Sequence, residues 1–275
     1  ERGHDVTVFE AQPDPGGQIR LTAQNPRRRE MISIIDWRMA QCAARDVTFH
    51  FNCWAEAEDV TALSPDIVIV ATGGLPNTEL FESGKQQNLV VTSWDLISGD
   101  VTPGNNVLIY DESGDHPGLM AAEIAANSGA RVEVMTPDRM FAPDIMAMNL
   151  VPYMRALQDK DTTFTVTRRL LDVTRDGNML KASIGTDYSE LVTEQSYDQV
   201  VVNYGTLPMD ELYFDLKPLS KNLGSVDHDA LIEGRAQSDT RNPDGAFQLF
   251  RIGDAVSARN THAASYDALR LVKDL

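Results

Sequence analysis

Short apolar runs that end in a glycine or an acid recur along the chain. Val6-Thr7-Val8-Phe9 ends in Glu10, and Ile67-Val68-Ile69-Val70 leads into Ala71-Thr72-Gly73-Gly74. Val107-Leu108-Ile109-Tyr110 leads into Asp111, Val200-Val201-Val202 into Asn203-Tyr204-Gly205, and Leu249-Phe250-Arg251-Ile252 into Gly253-Asp254-Ala255. Runs this short, rich in β-branched residues and bounded by turn residues, predict buried strands. Between them the apolar spacing becomes helical. Met31, Ile34, Ile35 and Met39 predict a helix around Arg29–Arg45. An alanine-rich stretch from Leu119 to Asn127, stopped by Ser128-Gly129, predicts another. A third runs from about Thr261 to Leu275, with Asn260 or Thr261 as N-cap. Shorter strands are expected at Val47–Phe51 and Arg131–Met135. Phe164–Val173 and Met179–Ile184 flank Arg175-Asp176-Gly177-Asn178 and read as a hairpin.

Alternating strands and helices predict an α/β fold, an open sheet interrupted by a second α/β unit. The Ile67–Gly73 and Val200–Gly205 segments echo each other, a weak internal duplication. The expected division gives residues 1–89 and 206–275 to a discontinuous first domain and 90–205 to an inserted second one. Glu1-Arg2-Gly3-His4 has the form of a last helical turn with a glycine C-cap. Val6–Glu10 then reads as the second strand of a βαβ nucleotide-binding unit. The first strand and helix, with their glycine-rich phosphate turn, are expected upstream, so the chain reads as a truncated piece of a longer protein.

Composition narrows the classes. The 275 residues are enough for two domains, 42% are apolar, and the formal net charge is −17. Such acidity argues against a nucleic-acid partner, which needs a basic face. Arg27-Arg28-Arg29 is too short a run to reverse that balance. Cys42 and Cys53 form neither a CxxC pair nor a metal set with neighbouring histidines. They read as buried thiols in a reducing, cytoplasmic compartment. No apolar run approaches the ~20 residues of a membrane span, so no membrane partner is expected.

The candidate chemistry lies at the ends of the strands. Glu10 can accept the two hydroxyls of an adenosine ribose, or it is an exposed loop acid. Gly16-Gly17 lets backbone approach a phosphate or a flavin closely. Gly253-Asp254 combines a close-approach glycine with a carboxylate before a helix whose N–H groups point at an electron-rich ligand. His262 and Tyr266 sit one turn apart on that last helix, either lining a flavin edge or serving as a capping-region histidine and a core tyrosine. Arg28 belongs to a basic run that binds an adenylate phosphate or is simply solvated. In the second unit, the three glycine positions of a GxGxxG turn hold Asp111, Ser113 and His116. Asp111, Glu112 and Asp115 would face a pyrophosphate there. One like-charge pair at ~4 Å costs about 4 kcal/mol at an effective dielectric near 20. Pro117 fits the first helical turn, so the expectation is a kept fold and a lost nicotinamide site. His116 reads as a solvated loop residue.

The ordered set is more specific than any member. Phe9-Glu10-Ala11, Gly16-Gly17-Gln18-Ile19, Asn25-Pro26-Arg27-Arg28 with Ile35-Asp36-Trp37, Val91-Thr92-Ser93-Trp94-Asp95 and Arg251-Ile252-Gly253-Asp254-Ala255 span essentially the whole chain. In this order they resemble the C-terminal half of the 2,4-dienoyl-CoA reductase and trimethylamine dehydrogenase family, the NADH:flavin oxidoreductases with an Old Yellow Enzyme-like barrel. Asn260-Thr261-His262-Ala263-Ala264-Ser265-Tyr266-Asp267-Ala268-Leu269-Arg270 is most similar to the branch that demethylates dimethylglycine or N-methylproline.

The resemblance implies two Rossmann-like dinucleotide-binding domains of the glutathione-reductase-like FAD/NAD(P) fold. It implies FAD or ADP in the first, held by Glu10, Gly16, Gly17, Gln18, Arg28, Ala71, Thr72, Gly73, Gly253, Asp254 and His262. FMN and a [4Fe–4S] cluster are implied only in an N-terminal TIM barrel outside this sequence, so no catalytic or metal-binding residue is assigned here. The implied partners are that barrel, an electron-transfer flavoprotein and a second copy in a homo-oligomer. Two other readings stand beside an amine demethylase: a non-catalytic ADP-binding module, and an NAD(P)H-dependent dienoyl-CoA-type reductase.

An absent first strand leaves ladder edges and apolar surface exposed. The chain by itself is therefore expected to self-associate or to hold nucleotide poorly. Size-exclusion chromatography with a nucleotide titration tests this, and a monodisperse monomer that binds FAD tightly would contradict it.

Overall fold

The computed structural model describes residues 2–78, 88–273 and 275. The chain divides into two compact units, Glu1–Ile19, Ile32–Leu75 and Thr206–Leu275 in the first, Arg20–Met31 and Pro76–Gly205 in the second. Residues 20–31, 76–78 and 88–89 thus fall across the expected boundaries. Glu1, the start of the expected helical turn, lies outside the described residues.

The first unit opens with β1 (Thr7–Phe9), preceded by Gly3 at φ +88°, in the left-handed region. The Gly16-Gly17 corner, both residues at positive φ, starts helix α1 (Gly17–Thr22). The helix expected at Arg29–Arg45 is α2 (Ser33–Ala43), and it starts later than its apolar spacing suggests. Pro26–Ile32 winds as a tighter 3-10 helix, so Met31 belongs to that turn. Strand β2 (Thr48–His50) pairs in parallel with β1, Thr7 opposite Thr48 and Phe9 opposite His50. Helix α3 (Ala57–Ala62) is closed by a reciprocal capping box between Glu56 and Asp59. Strand β3 (Ile67–Val70) follows, and Gly73 at φ +77° turns the chain into β4 (Gly74–Pro76).

The second unit is built on β5 (Val91–Thr92), β6 (Asn106–Asp111), β7 (Arg131–Met135), β8 (Thr162–Thr165) and a strand that returns later. Helix α4 (Ser93–Ser98) is capped by Thr92 and stopped by Gly99 at φ +85°. Helix α5 (His116–Asn127) begins earlier than its alanine run shows, with Asp115 as N-cap and Pro117 in the first turn. Its Leu119, Met120, Ala121, Ala122 and Ala125 bury completely with Val107, Ile109, Val132 and Val134. Small alanines let helix and sheet approach closely, which is why this helix carries so many. Helix α6 (Ala147–Gln158) accommodates Pro152 within it.

The expected strand Phe164–Val173 is two elements. Phe164 lies in β8 of the parallel sheet, and β9 (Arg169–Asp176) begins a three-stranded antiparallel sheet with β10 (Met179–Thr186) and β11 (Ser189–Tyr197). Gly177 at φ +60° makes the expected hairpin turn between β9 and β10. Strand β11 leaves no apolar signature because every position before Tyr197 is exposed. Strand β12 (Gln199–Asn203) then completes a parallel sheet of order β5-β12-β6-β7-β8.

Gly205, at φ +74°, repeats the Gly73 corner and leads into β13 (Thr206–Pro208), which pairs with β4. The duplication seen in sequence is thus a repeated strand-then-glycine corner. An added Cβ at Gly74 would lie 2.6 Å from the Leu207 carbonyl oxygen, so the close pairing needs glycine. The chain continues through α7 (Glu211–Leu216) and α8 (His228–Glu233) to β14 (Gln248–Arg251), parallel to β3. Helix α9 (Thr261–Val272) ends the described chain, and Asn260 is its cap, accepting the Ala263 N–H.

The first unit therefore holds two separate parallel pairs, β1-β2 and β14-β3. They share one apolar cluster, in which Phe9 and Val68 pack against Val60, Val70, Leu216, Phe247 and Leu249. The outer edge of β14 is closed by a side chain. Asn222 is buried, its Nδ2 donates to Leu249 O at 2.8 Å and its Oδ1 accepts Leu249 N–H at 2.9 Å. The inner edges differ. Val6 O and Glu10 N–H bond to β2, and Asp66 O and Val70 O bond to the β14 side. By the alternation of a parallel ladder, Thr7, Phe9, Ile67 and Ile69 turn their peptide groups the other way.

Asn222 also donates to Ser225 O at 2.8 Å, so Asn222→Leu removes a set of bonds and strands buried partners. The substitution is expected to cost about 2–3 kcal/mol, measured as a shift in the denaturant midpoint. A loss within 0.5 kcal/mol, roughly the range of ordinary surface changes, would show that the edge is closed by something else.

Candidate functional site

In open parallel sheets, ligands sit outside the carboxyl ends of the strands, where helix N-termini and loop amides converge. In the first unit Glu10 leaves β1 there. Its Oε1 accepts the Gln12 N–H at 2.9 Å, which fixes the carboxylate at the strand end. Gly17, at φ +45°, has nothing within 4 Å of an added Cβ, so the corner borders open space. Gln18 Nε2 donates to Asp254 Oδ2 at 2.9 Å, across 236 residues of sequence. The other Asp254 oxygen accepts the Arg259 N–H at 3.1 Å.

The Gly253 corner, at φ +61°, is pinned from the last helix: its N–H donates to Asp267 Oδ2 at 3.2 Å. The same carboxylate pairs with the Arg259 guanidinium, and that bond holds the Arg259 pKa above its usual value. Arg259 and Asp267 position the Gly253-Asp254 turn, a role the sequence reading missed. Their eight-residue separation spans a loop and a helix turn, and no strand or helix spacing marks it.

The remaining candidates divide. At the Ala71-Thr72-Gly73 corner, the Thr72 hydroxyl donates to Met209 O, and Gly73 O accepts the Met209 N–H at 3.0 Å. That corner is tied to the β13 segment. His262 stacks on Tyr266 with centroids 6.4 Å apart and planes 7° apart, and the Arg270 guanidinium lies over the Tyr266 ring. Tyr266 is exposed, so the core-tyrosine alternative is corrected. Arg28 lies in the second unit, whereas Glu10, Gln18 and Asp254 belong to the first. One of its nitrogens reaches a His116 ring nitrogen at 2.9 Å, and its Nε donates to the Tyr153 hydroxyl at 3.3 Å. Neighbouring Arg27 pairs at 2.5 Å with Glu123, which also accepts from buried Asn25 at 2.9 Å. His116 is not the solvated loop residue expected. It is the first residue of α5, and burial, with the nearby Arg28 charge, lowers its pKa to about 4.

The expected nicotinamide turn of the second unit is filled by its own side chain. Asp111 is 3% exposed, and its Oδ1 accepts the Ser113 N–H at 3.2 Å, the Gly114 N–H at 3.1 Å and Asn203 Nδ2 at 2.9 Å. Loop amides of the kind that cradle phosphate are thus taken by a carboxylate. Asn203 bridges onward to Asp115 at 2.9 Å. An added Cβ at Gly118 would lie 2.6 Å from the Asp111 carboxyl, so this inward pose needs glycine on α5. Glu112 turns to Arg169 at 2.6 Å and accepts from the Tyr110 hydroxyl at 3.1 Å. Among the described residues no group of three or more acids, histidines or cysteines could hold a metal ion, and no helix is long and apolar enough to cross a membrane.

The fold is one the chain shares with solved flavoenzymes, among them a flavoprotein disulfide reductase of Escherichia coli at a TM-score of 0.56 and 14% identity. The chain superimposes over its whole length on 36% of 2-naphthoyl-CoA reductase, solved with 2-naphthoyl-CoA, at a TM-score of 0.79 and 22% identity. No family model matches the sequence. A probable N-methylproline demethylase of Rhizobium meliloti is 66% identical over all 275 residues, and these cover 40% of that protein. An N,N-dimethylglycine/sarcosine dehydrogenase of Chromohalobacter salexigens is 38% identical over the whole chain, covering 41% of its own length. The chain is therefore similar, from end to end, to a portion of these demethylase and dehydrogenase enzymes. The resemblance in the ordered motifs holds, and the chain spans about 40% of the length of the curated relatives it matches.

The buried carboxylate gives a pH signature. Burial, then the Asp115 charge, raises the Asp111 pKa to about 7. The folded state holds that proton more tightly than the unfolded state, so the stabilisation is complete below about pH 4 and lost as pH rises through 7. His116 has the opposite sign: its contribution is present above about pH 6.5 and lost as pH falls through 4. Comparing Asp111→Asn with the parent cancels the histidine contribution. The melting-temperature gain from Asp111→Asn is expected to grow between pH 4 and pH 8, and a flat difference would contradict the buried-acid assignment.

Proposed function

We propose that the first unit binds FAD or ADP and that the chain is the nucleotide-binding portion of a longer N-methyl amine demethylase or dehydrogenase. The observation that carries this reading is the Gln18–Asp254 bond, which joins the Gly16-Gly17 corner to the Gly253 corner. It stands beside an open glycine turn and an oriented Glu10. Glu10 would accept the ribose hydroxyls, and the backbone at Gly16 and Gly17 would meet the phosphates. Asp254, held by Gln18 and Arg259, would accept a hydroxyl of the ribityl or pyrophosphate region. A bound flavin supplies the redox chemistry; these residues bind and orient it. The similarity to the N-methylproline and dimethylglycine/sarcosine enzymes supports a secondary or tertiary methylamine as substrate, with its pocket in the remainder of the longer protein. The family relationship supports a barrel with FMN and a [4Fe–4S] cluster as that remainder, and the inner edges of β1 and β3 are the places for a further parallel strand.

The second unit keeps the dinucleotide-binding fold without binding NAD(P). Asp111 supports this, since an incoming pyrophosphate would have to displace a buried carboxylate from the loop amides. Electrons would then leave to a protein acceptor, an electron-transfer flavoprotein. This weighs against an NAD(P)H-dependent reductase.

The test is to denature the purified full-length polypeptide and identify the released nucleotide by absorbance and mass. FAD or ADP in near-equimolar amount is expected, with at least a tenfold loss of retention in Glu10→Ala and Asp254→Ala, as for the ~1.4 kcal/mol of one polar contact. FAD supports electron transfer through this unit, whereas ADP favours a structural nucleotide. A nucleotide-free protein, or tight NADH binding at the second unit, overturns the corresponding half of the reading.

A further inference from the structure

Trp54 is 64% exposed and stands just past the carboxyl end of β2. The chain there is folded back against the end of β1. Asn52, at φ +54°, donates its N–H to Gln12 O at 3.2 Å, and Cys53 donates to Glu10 O at 3.0 Å. Trp54 is therefore the residue next to the backbone partner of Glu10, whose carboxylate is fixed by the Gln12 N–H. This short ladder holds a carboxylate and an indole at adjoining strand ends. A Trp this exposed presents a large flat apolar surface to water, and the indole is the strongest stacking surface among side chains. By contrast Trp37, also exposed, lies within helix α2 and has no such tie to a strand end.

We infer that Trp54 is the stacking platform for the adenine ring of the nucleotide whose ribose Glu10 holds. The inference rests on the nucleotide reading of the first unit. In adenosine the base is bonded directly to the ribose, so a ribose bound at the end of β1 carries its base to a neighbouring strand end. The indole supplies affinity for any purine face, and the ribose carboxylate supplies the anchor. Stacking of one base on an aromatic side chain corresponds to roughly a tenfold or greater gain in affinity.

The test uses the full-length polypeptide stripped of nucleotide, with ADP as the titrant in calorimetry and thermal melting in parallel. Trp54→Ala is expected to weaken ADP binding about tenfold while leaving the ligand-free melting temperature unchanged. Trp54→Phe, which keeps an aromatic face, restores most of the affinity, and Trp37→Ala leaves it unaltered. If Trp54→Ala binds ADP like the parent while Glu10→Ala does not, the stacking role falls and the nucleotide site stands. A Trp54→Ala loss accompanied by a lower melting temperature and not restored by Phe makes Trp54 a structural residue and also overturns the role. If the parent itself does not bind ADP, the nucleotide reading fails and takes this inference with it.

Discussion

The parallel ladder is the constraint from which the rest of this structure follows. Parallel strands cannot be joined by tight turns, so each must be followed by a crossover that returns the chain to the same end of the sheet. That requirement places every strand C-terminus on one edge of its sheet. It gathers Glu10, the Gly73 corner and the Gly253 corner at the strand ends of the first unit. In the second unit it gathers Asp111 and Asn203, which are 92 residues apart in sequence yet bonded through their side chains. The same constraint forces each edge to be paired, closed or left for another strand. Asn222 closes one edge of the first unit by offering a donor and an acceptor to Leu249, as a neighbouring strand would.

Carboxylates at strand ends are placed differently in the two units. Glu10 is half-buried, with one backbone N–H on its carboxylate. Asp111, one residue past an uninterrupted apolar run, turns inward and satisfies the loop amides itself. The difference comes from what surrounds each acid. Gly118 opens the space on α5 that the Asp111 carboxyl fills, and Asn203 supplies a further donor. A negative charge there is raised in energy by burial and by Asp115, yet it is held by its donors. The unit thus keeps its parallel α/β architecture while its own side chain takes the amides of the turn after β6.

The segment Arg20–Met31 is a second instance of polar groups fixing a path. Asn25 and Glu123 are both buried, and their bond, with the Arg27 pair, ties this segment to α5. Breaking one partner of such a set leaves an unsatisfied charge or amide away from water, so the set behaves as a unit. Arg28 joins the same surroundings through Tyr153 and His116.

Local chemistry made the strands at Val107–Tyr110 and Val200–Val202 readable from sequence, because a strand buried on both faces must be apolar throughout; Ile67–Val70 carries the same apolar run although it is only half-buried. The glycine corners were readable because only glycine adopts positive φ without strain, and the capped final helix because its N-cap pattern is local. Strand β11 was not readable, since its exposed positions carry no apolar period and only pairing to β10 makes it a strand. The two strands inside Phe164–Val173 were not separable, because the boundary lies where the chain leaves one sheet for another. The sequence by itself determined the α/β class and the corners at Gly16-Gly17 and Gly253, through residue types that are demanded locally. Only the tertiary structure decided that Gln18 meets Asp254, that Arg28 joins His116, and that Asp111 occupies its own loop, because each depends on which distant donor lies within about 3 Å of which acceptor.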